Sequence, residues 1–69
     1  MRLTKAQRQM LEQYADAGVT TQAFGRLDTW LALVRKGLLR HSRYGGGVIE
    51  SEITDAGRQA LKESEHGHA

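Results

Sequence analysis

The residues of this sequence that could do chemistry are mostly basic, and they come just before a run of glycines. In "RHSRYGGGVIESE", the side chains Arg40, His41, Arg43 and Tyr44 precede Gly45–Gly47. Guanidinium and imidazolium groups bind phosphate oxygens, and glycine lets the backbone approach a ligand closely. We therefore take these four side chains as candidates for contact with a nucleic-acid backbone.

Four further candidates lie upstream. Gln22, Arg26, Thr29 and Lys36 are residue types that bond to base edges or to phosphates. Between residues 26 and 43 there are five basic side chains and one acid, whereas between 50 and 65 there are five acids and two bases. This distribution predicts one basic and one acidic surface, and a basic surface attracts nucleic acid. The alternative is that both are ordinary solvated faces.

No pattern typical of catalysis or of metal binding accompanies these residues. The sequence has no cysteine, so it offers neither a thiolate ligand nor a disulfide. The three glycines are not followed by the Gly-Lys-Ser/Thr of a phosphate loop. His66 and His68 lack a third ligand at a suitable spacing. We expect no enzyme, no cofactor and no metal site.

Length and composition predict one small domain. The chain has 69 residues, a net charge of +2 and a pI of about 9.4. We expect the domain to span 1–64, with a flexible tail at 65–69. No apolar run approaches the roughly 18 residues that cross a membrane, and the opening residues lack the apolar stretch of a secretory signal. A soluble, cytoplasmic protein without membrane contact is the expectation.

Two helices are predicted ahead of the basic stretch. The first spans 4–17, where Thr4 and Gln7 have capping-box spacing and Gly18 provides a stop. The second is predicted over 21–36, although its start stays open between Thr20 or Thr21 and a break at Gly25. Its apolar residues at helical spacing form one stripe, with Leu33 on the flank: Phe24, Leu27, Trp30, Leu31 and Val34.

A β-hairpin over 38–53 and a third helix over 54–64 complete the prediction. The residues from Val48 to Ile53 alternate with a period of two, which is typical of a strand. Thr54 is a suitable N-cap, and Gly57 inside the helix indicates close packing against a neighbour. The predicted core contains Leu11, Tyr14, Leu27, Trp30, Val34, Ile53 and Leu61.

The order of motifs carries a resemblance. "LALVRKGLL" is followed by a basic turn, a glycine tip and then "ITDAGRQAL". The residues that match are Leu33, Gly37, Leu38, Ile53, Thr54, Gly57 and Arg58. Over residues 29–61 this resembles the second half of the winged helix-turn-helix domains of MarR-type transcription regulators and of small phage proteins. The fold class implied is mainly α with a β-hairpin (α+β), a winged helix-turn-helix with a reduced scaffold helix.

The resemblance implies a transcriptional regulator that binds duplex DNA without a cofactor, through a recognition helix and a basic wing. Two departures from the pattern stand out. Between Gly18 and Gly25 there is room for only about one helical turn, so the scaffold helix is missing, reduced or fused to the next helix. The sequence does not show the helices with which MarR-type regulators dimerise, so the question whether the chain forms a homodimer is left open. The alternative is a winged-helix module that binds a host protein, as a phage-encoded inhibitor or adaptor would.

Overall fold

The protein has an α+β fold of three helices and one antiparallel hairpin. The computed structural model describes residues 2–43 and 46–66, without the side chains of 65 and 66. The elements in chain order are α1 (Lys5–Ala17), α2 (Leu27–Arg35), β1 (Leu39–Arg43), β2 (Ile49–Ile53) and α3 (Asp55–His66). None of the described helices is long and apolar enough to cross a membrane.

Helix α1 begins and ends where the sequence predicts. The hydroxyl of Thr4 accepts from the backbone N–H of Gln7, and the side-chain oxygen of Gln7 accepts from the N–H of Thr4, both at 3.1 Å. This reciprocal pair satisfies two backbone donors that the first turn of a helix leaves unpaired. At the other end Gly18 adopts a φ of 69° and donates to the carbonyl of Tyr14.

Helix α2 is shorter than predicted, because it begins at Leu27 and not at residue 21. Gly25 has a φ of 90° and Arg26 is extended, so the backbone cannot continue helically through them. Residues 18–26 are all described and contain no helix. The prediction of a helix over 21–36 was therefore wrong over residues 21–26, and the alternative of a break at Gly25 is confirmed. A scaffold helix is neither present before α2 nor fused to it.

The segment that connects α1 and α2 forms an isolated β-bridge with the hairpin. Thr20 pairs with Ser51 of β2 through two backbone hydrogen bonds, of 3.0 and 2.8 Å. Strand β2 is thus bonded on both sides, to β1 along its length and to Thr20 at one point. This contact fixes the connection between the first two helices against the hairpin.

The hairpin has the predicted alternation. Leu39, His41 and Arg43 lie opposite Ile53, Ser51 and Ile49, in that order, on one face of the sheet. The other face carries Arg40 opposite Glu52 and Ser42 opposite Glu50. The first of these faces is directed towards α2, and we call it the inner face of the hairpin.

A compact joint connects the end of α2 with the start of α3. Gly37 and Leu38 donate to the carbonyls of Val34 and Leu33, at 3.0 and 2.9 Å, which is the Schellman pattern of a helix that ends in a left-handed glycine. Thr54 donates its N–H to the carbonyl of Leu38.

The side chain of Thr54 reaches further into this joint. Its hydroxyl donates to the carbonyl of Gly37 at 2.7 Å and accepts from the N–H of Gly57 at 3.0 Å. The prediction of Thr54 as N-cap is confirmed. So is the close packing of Gly57, because a Cβ there would meet the backbone carbonyl of Leu38 and lie 2.6 Å from Cγ1 of Ile53.

The core contains four of the seven residues that the sequence predicts. Its members are Met10, Leu11, Tyr14, Leu33, Leu38, Leu39, Ile53, Ala60 and Leu61. Trp30 and Val34 are half-buried against it, and Leu27 is 67% exposed, so its assignment to the core was wrong. Leu31, placed in the same stripe, is exposed as well. Helix α2 is rotated from the expected orientation, because Leu33 packs inward beside Leu38 at the end of the helix.

The rotation of α2 predicts opposite results for two leucines. Leu33→Ala should lower the free energy of unfolding by about 2–5 kcal/mol, as expected for a fully buried leucine. Leu27→Ala should change it by less than about 0.5 kcal/mol, since that side chain is mostly in solvent. Urea unfolding followed by circular dichroism would measure both. A greater loss for Leu27→Ala would contradict this orientation.

Gly57→Ala should destabilise the protein although alanine favours helices. The helix propensity gains about 1 kcal/mol, but the added methyl meets backbone that cannot move aside, and overpacking of this kind costs about 1–3 kcal/mol or more. We expect the melting temperature to fall by roughly 4 °C or more. Arg58→Ala, at the exposed neighbouring position of α3, is the matched control. A melting temperature that rises in the Gly57 variant would show that the contact relaxes freely.

Candidate functional site

A concave surface with a mostly apolar lining lies at the amino end of α2. It has a volume of about 220 Å³ and is bounded by α1, the 21–26 connection, α2 and the start of β2. We call it the amino-end groove. Its apolar floor is formed by Tyr14, Phe24, Leu27, Trp30 and Ile49.

Helix α1 holds one wall of the groove in place. The ring of Tyr14 meets that of Phe24 edge-on, with centroids 4.8 Å apart, an arrangement that aromatic pairs favour. The Tyr14 hydroxyl donates to the carbonyl of Gln22 at 3.3 Å, and the N–H of Gln22 donates to the Thr20 hydroxyl at 3.0 Å. The non-helical segment before α2 is therefore fixed at several points.

Trp30 joins α2 to the hairpin and also lines the groove. Its indole N–H donates to the hydroxyl of Ser51 at 3.1 Å, and its ring meets the imidazole of His41 edge-on at 5.2 Å. Ser51 is buried, so the indole supplies the partner that its hydroxyl needs. The interpretation of Trp30 as a packing residue is consistent with these contacts, although the ring is only half-buried.

Four of the eight candidate residues gather around this groove. Gln22 and Arg26 lie on its border, both exposed. His41 touches Trp30, and Arg43 lies opposite Ile49 on the inner face of the hairpin. Residues up to 21 positions apart in sequence thus either line the groove or lie next to residues that line it. We call Arg26 and Arg43 the cationic rim.

Of the other four candidates, three lie elsewhere in the described part of the chain. Thr29 is half-buried in a second, larger depression of about 650 Å³ between α1 and α2, which also includes Arg26. Lys36 is the C-cap of α2, at the end remote from the groove. Arg40 points to the outer face of the hairpin. Tyr44 lies outside the described residues, as does Gly45.

The predicted separation of basic and acidic surfaces is interrupted on the hairpin. Nε of Arg40 lies 2.6 Å from Oε1 of Glu52, directly across the strand pair. The basic residues before the glycine tip and the acids after it therefore meet, because an antiparallel hairpin places the two segments side by side. Arg26 has a looser ion pair with Asp28, at 3.5 Å, in which both side chains are more than 80% exposed. An ion pair this exposed contributes little free energy, so it restrains the two side chains only weakly.

Sequence reasoning missed the exposed apolar surface. Leu27 and Ile49 are 67% and 38% exposed, and Leu31 lies one helical turn beyond Leu27. The helical period placed both leucines in the inward stripe, because a stripe of five apolar residues fits more than one rotation of so short a helix. The bridge at Thr20 was missed too; the β-branched run Val19 to Thr21 was the signal available for it.

The bond between Trp30 and Ser51 predicts a measurable coupling. Trp30→Phe keeps an aromatic ring but removes the donor, and Ser51→Ala removes the acceptor. Each should lower the free energy of unfolding by about 1 kcal/mol, in the usual range for one hydrogen bond. The double variant should lose much less than the sum of the two, since the bond is lost only once. Additive losses in the double-mutant cycle would show that the two groups do not interact.

The comparisons with known proteins give no relative from which a role could be transferred. No protein-family model, no curated protein and no solved structure matches this chain. Its function must therefore be inferred from the groove, the cationic rim and the order of the elements.

Proposed function

We propose that this chain is a small winged-helix-like domain that binds duplex DNA. In this proposal the amino end of α2 enters the major groove, and the hairpin acts as a wing that lies along the phosphate backbone. The order of elements supports it, because a helix followed at once by an antiparallel hairpin and a closing helix is what the sequence resemblance implies. Regulation of transcription is the role that such a binder would have.

The observation that carries the proposal is the cationic rim. Arg26 at the N-cap of α2 and Arg43 on the hairpin are both exposed, and His41 of the same strand as Arg43 contacts Trp30 of α2. Positive side chains on two neighbouring elements can contact phosphates on the two sides of the DNA major groove, while the amino end of the helix lies in that groove. Contacts to phosphate supply most of the affinity for any DNA sequence.

Reading of base sequence would be limited. Besides Arg35, the residues exposed along α2 are Leu27, Asp28 and Leu31. Leucine methyls can touch the methyl group of thymine, and a carboxylate can accept from the amino group of cytosine, but neither makes the two-bond contact of arginine with guanine. We therefore propose binding that depends mainly on backbone contacts, with Gln22 as the further polar group at the helix end.

The rim predicts which arginines matter for DNA. Arg26→Ala and Arg43→Ala should each weaken binding on all duplex sequences and reduce the slope of log K against log salt by about 1. Arg40→Ala is the matched control, because Arg40 lies on the outer face and is paired with Glu52. Fluorescence anisotropy with a random duplex at two salt concentrations would measure the slopes. An absence of duplex binding at low salt, or an equal loss for Arg40→Ala, would exclude this mode.

A second candidate function is binding of a protein, and the apolar floor favours it. Phosphate contacts need no exposed leucine, whereas Leu27, Leu31 and Ile49 present apolar surface beside the rim. Exposed apolar surface bordered by polar residues is typical of protein interaction sites. A domain used as an inhibitor or adaptor would dock through this floor.

A further inference from the structure

We propose that the amino-end groove is the docking site for an acidic amphipathic helix of a partner protein. Apolar side chains of that helix would fill the groove, and its carboxylates would meet Arg26 and Arg43. The proposal does not rest on DNA binding, since it uses the floor of the groove as well as its rim. It names the occupant that the second candidate function leaves unspecified.

The floor offers an anchor that continues along α2. Leu27, Trp30 and Ile49 all belong to the apolar floor, and Leu27 and Ile49 are also exposed to solvent. Leu31 extends the apolar surface by one turn of the helix. Residues at such spacing accept the successive apolar positions of a helix laid into a groove.

The size of the groove indicates side chains as the occupant. Its volume of about 220 Å³ lies below the roughly 300–1,000 Å³ of sites for drug-sized ligands and cofactors. Small pockets of this kind receive the anchoring residues of protein interfaces, which are few and well buried. The groove therefore fits one or two side chains of a larger partner better than a complete small molecule.

The mode of docking follows from the sheet edge. Strand β2 reaches the groove through Ile49 and Ser51, but the backbone of Ser51 is already paired with Thr20. A partner strand could not add there without breaking that bridge. No residue of β1 lines the groove. A helix, whose backbone bonds are internal, needs no free edge.

Charge decides between a foreign partner and a second copy of this chain. A two-fold contact would place the same patch on both sides, and so would bring Arg26 and Arg43 of one copy towards those of the other. Like charges across an interface cost affinity and suppress that pairing. An acidic helix has the complementary charge, and the rim would orient it.

The test uses the single tryptophan of the chain, Trp30, as reporter. Two synthetic helical peptides without tryptophan would share one leucine face and differ only in flanks of glutamate or lysine. The glutamate peptide should change the Trp30 fluorescence. It should bind at least about tenfold more tightly than the lysine peptide, because only its flanks have the charge opposite to that of the rim. Leu27→Ser and Arg43→Ala should each weaken it by about tenfold.

Val19→Ser is the matched control, because Val19 is exposed but does not line the groove. It should bind the glutamate peptide like the unchanged protein. Equal binding of the two peptides, or binding that Leu27→Ser leaves intact, would overturn the proposal. So would a concentration-dependent dimer, measured by sedimentation, that Leu27→Ser abolishes, since a second copy would then cover the groove.

A variant at Ile49 separates this proposal from DNA binding, because Ile49 lines the groove but is given no contact with DNA. Ile49→Ser keeps the rim; it should weaken the glutamate peptide by about tenfold and still bind a random duplex within about threefold of the unchanged protein, since it removes no phosphate contact. Loss of peptide binding with duplex binding retained supports the docking site. If neither the unchanged protein nor any variant bound duplex DNA, the proposed function would be excluded. The docking proposal would then be decided by the peptide measurements alone.

Discussion

The backbone joint at Leu38 is the constraint on which the rest of the structure depends. The carbonyl of Leu38 accepts from Thr54, and the Thr54 hydroxyl bonds to both Gly37 and Gly57. These bonds close the hairpin at its base and start α3 beside the end of α2. The bare Cα of Gly57 is what lets α3 come so near. Three elements are thereby set at one point, within a chain too short for a large core.

The orientation of α2, and with it the character of the groove, follows from this joint. Leu33 and Leu38 are both buried where the helix ends, so that end determines which face turns inward. Leu27, at the other end of a helix of only nine residues, is then left in solvent. The exposed floor of the groove is therefore a result of how α2 ends and of where Gly25 makes it begin.

Prediction from sequence succeeded where the signal is local. The capping box at Thr4, the N-cap at Thr54 and the alternation of the hairpin depend on residues a few positions apart, and all are present. It failed where distant contacts decide: the rotation of α2 depends on Leu38, and the Thr20 bridge depends on β2. The placement of Arg26, His41 and Arg43 around one groove required the fold, because it depends on the packing of α2 on the hairpin.

The bridge between Thr20 and Ser51 also bears on the order in which the chain assembles. The two residues are 31 positions apart, whereas the hairpin joins residues that are near in sequence. Closing the longer loop costs more entropy and gains only one bridged pair, so it is favourable mainly after β2 has formed. We therefore expect this bridge to form after the hairpin and to open before it in local unfolding. An occupant of the groove that contacts residues 21–26 would stabilise the segment next to the bridge against such opening.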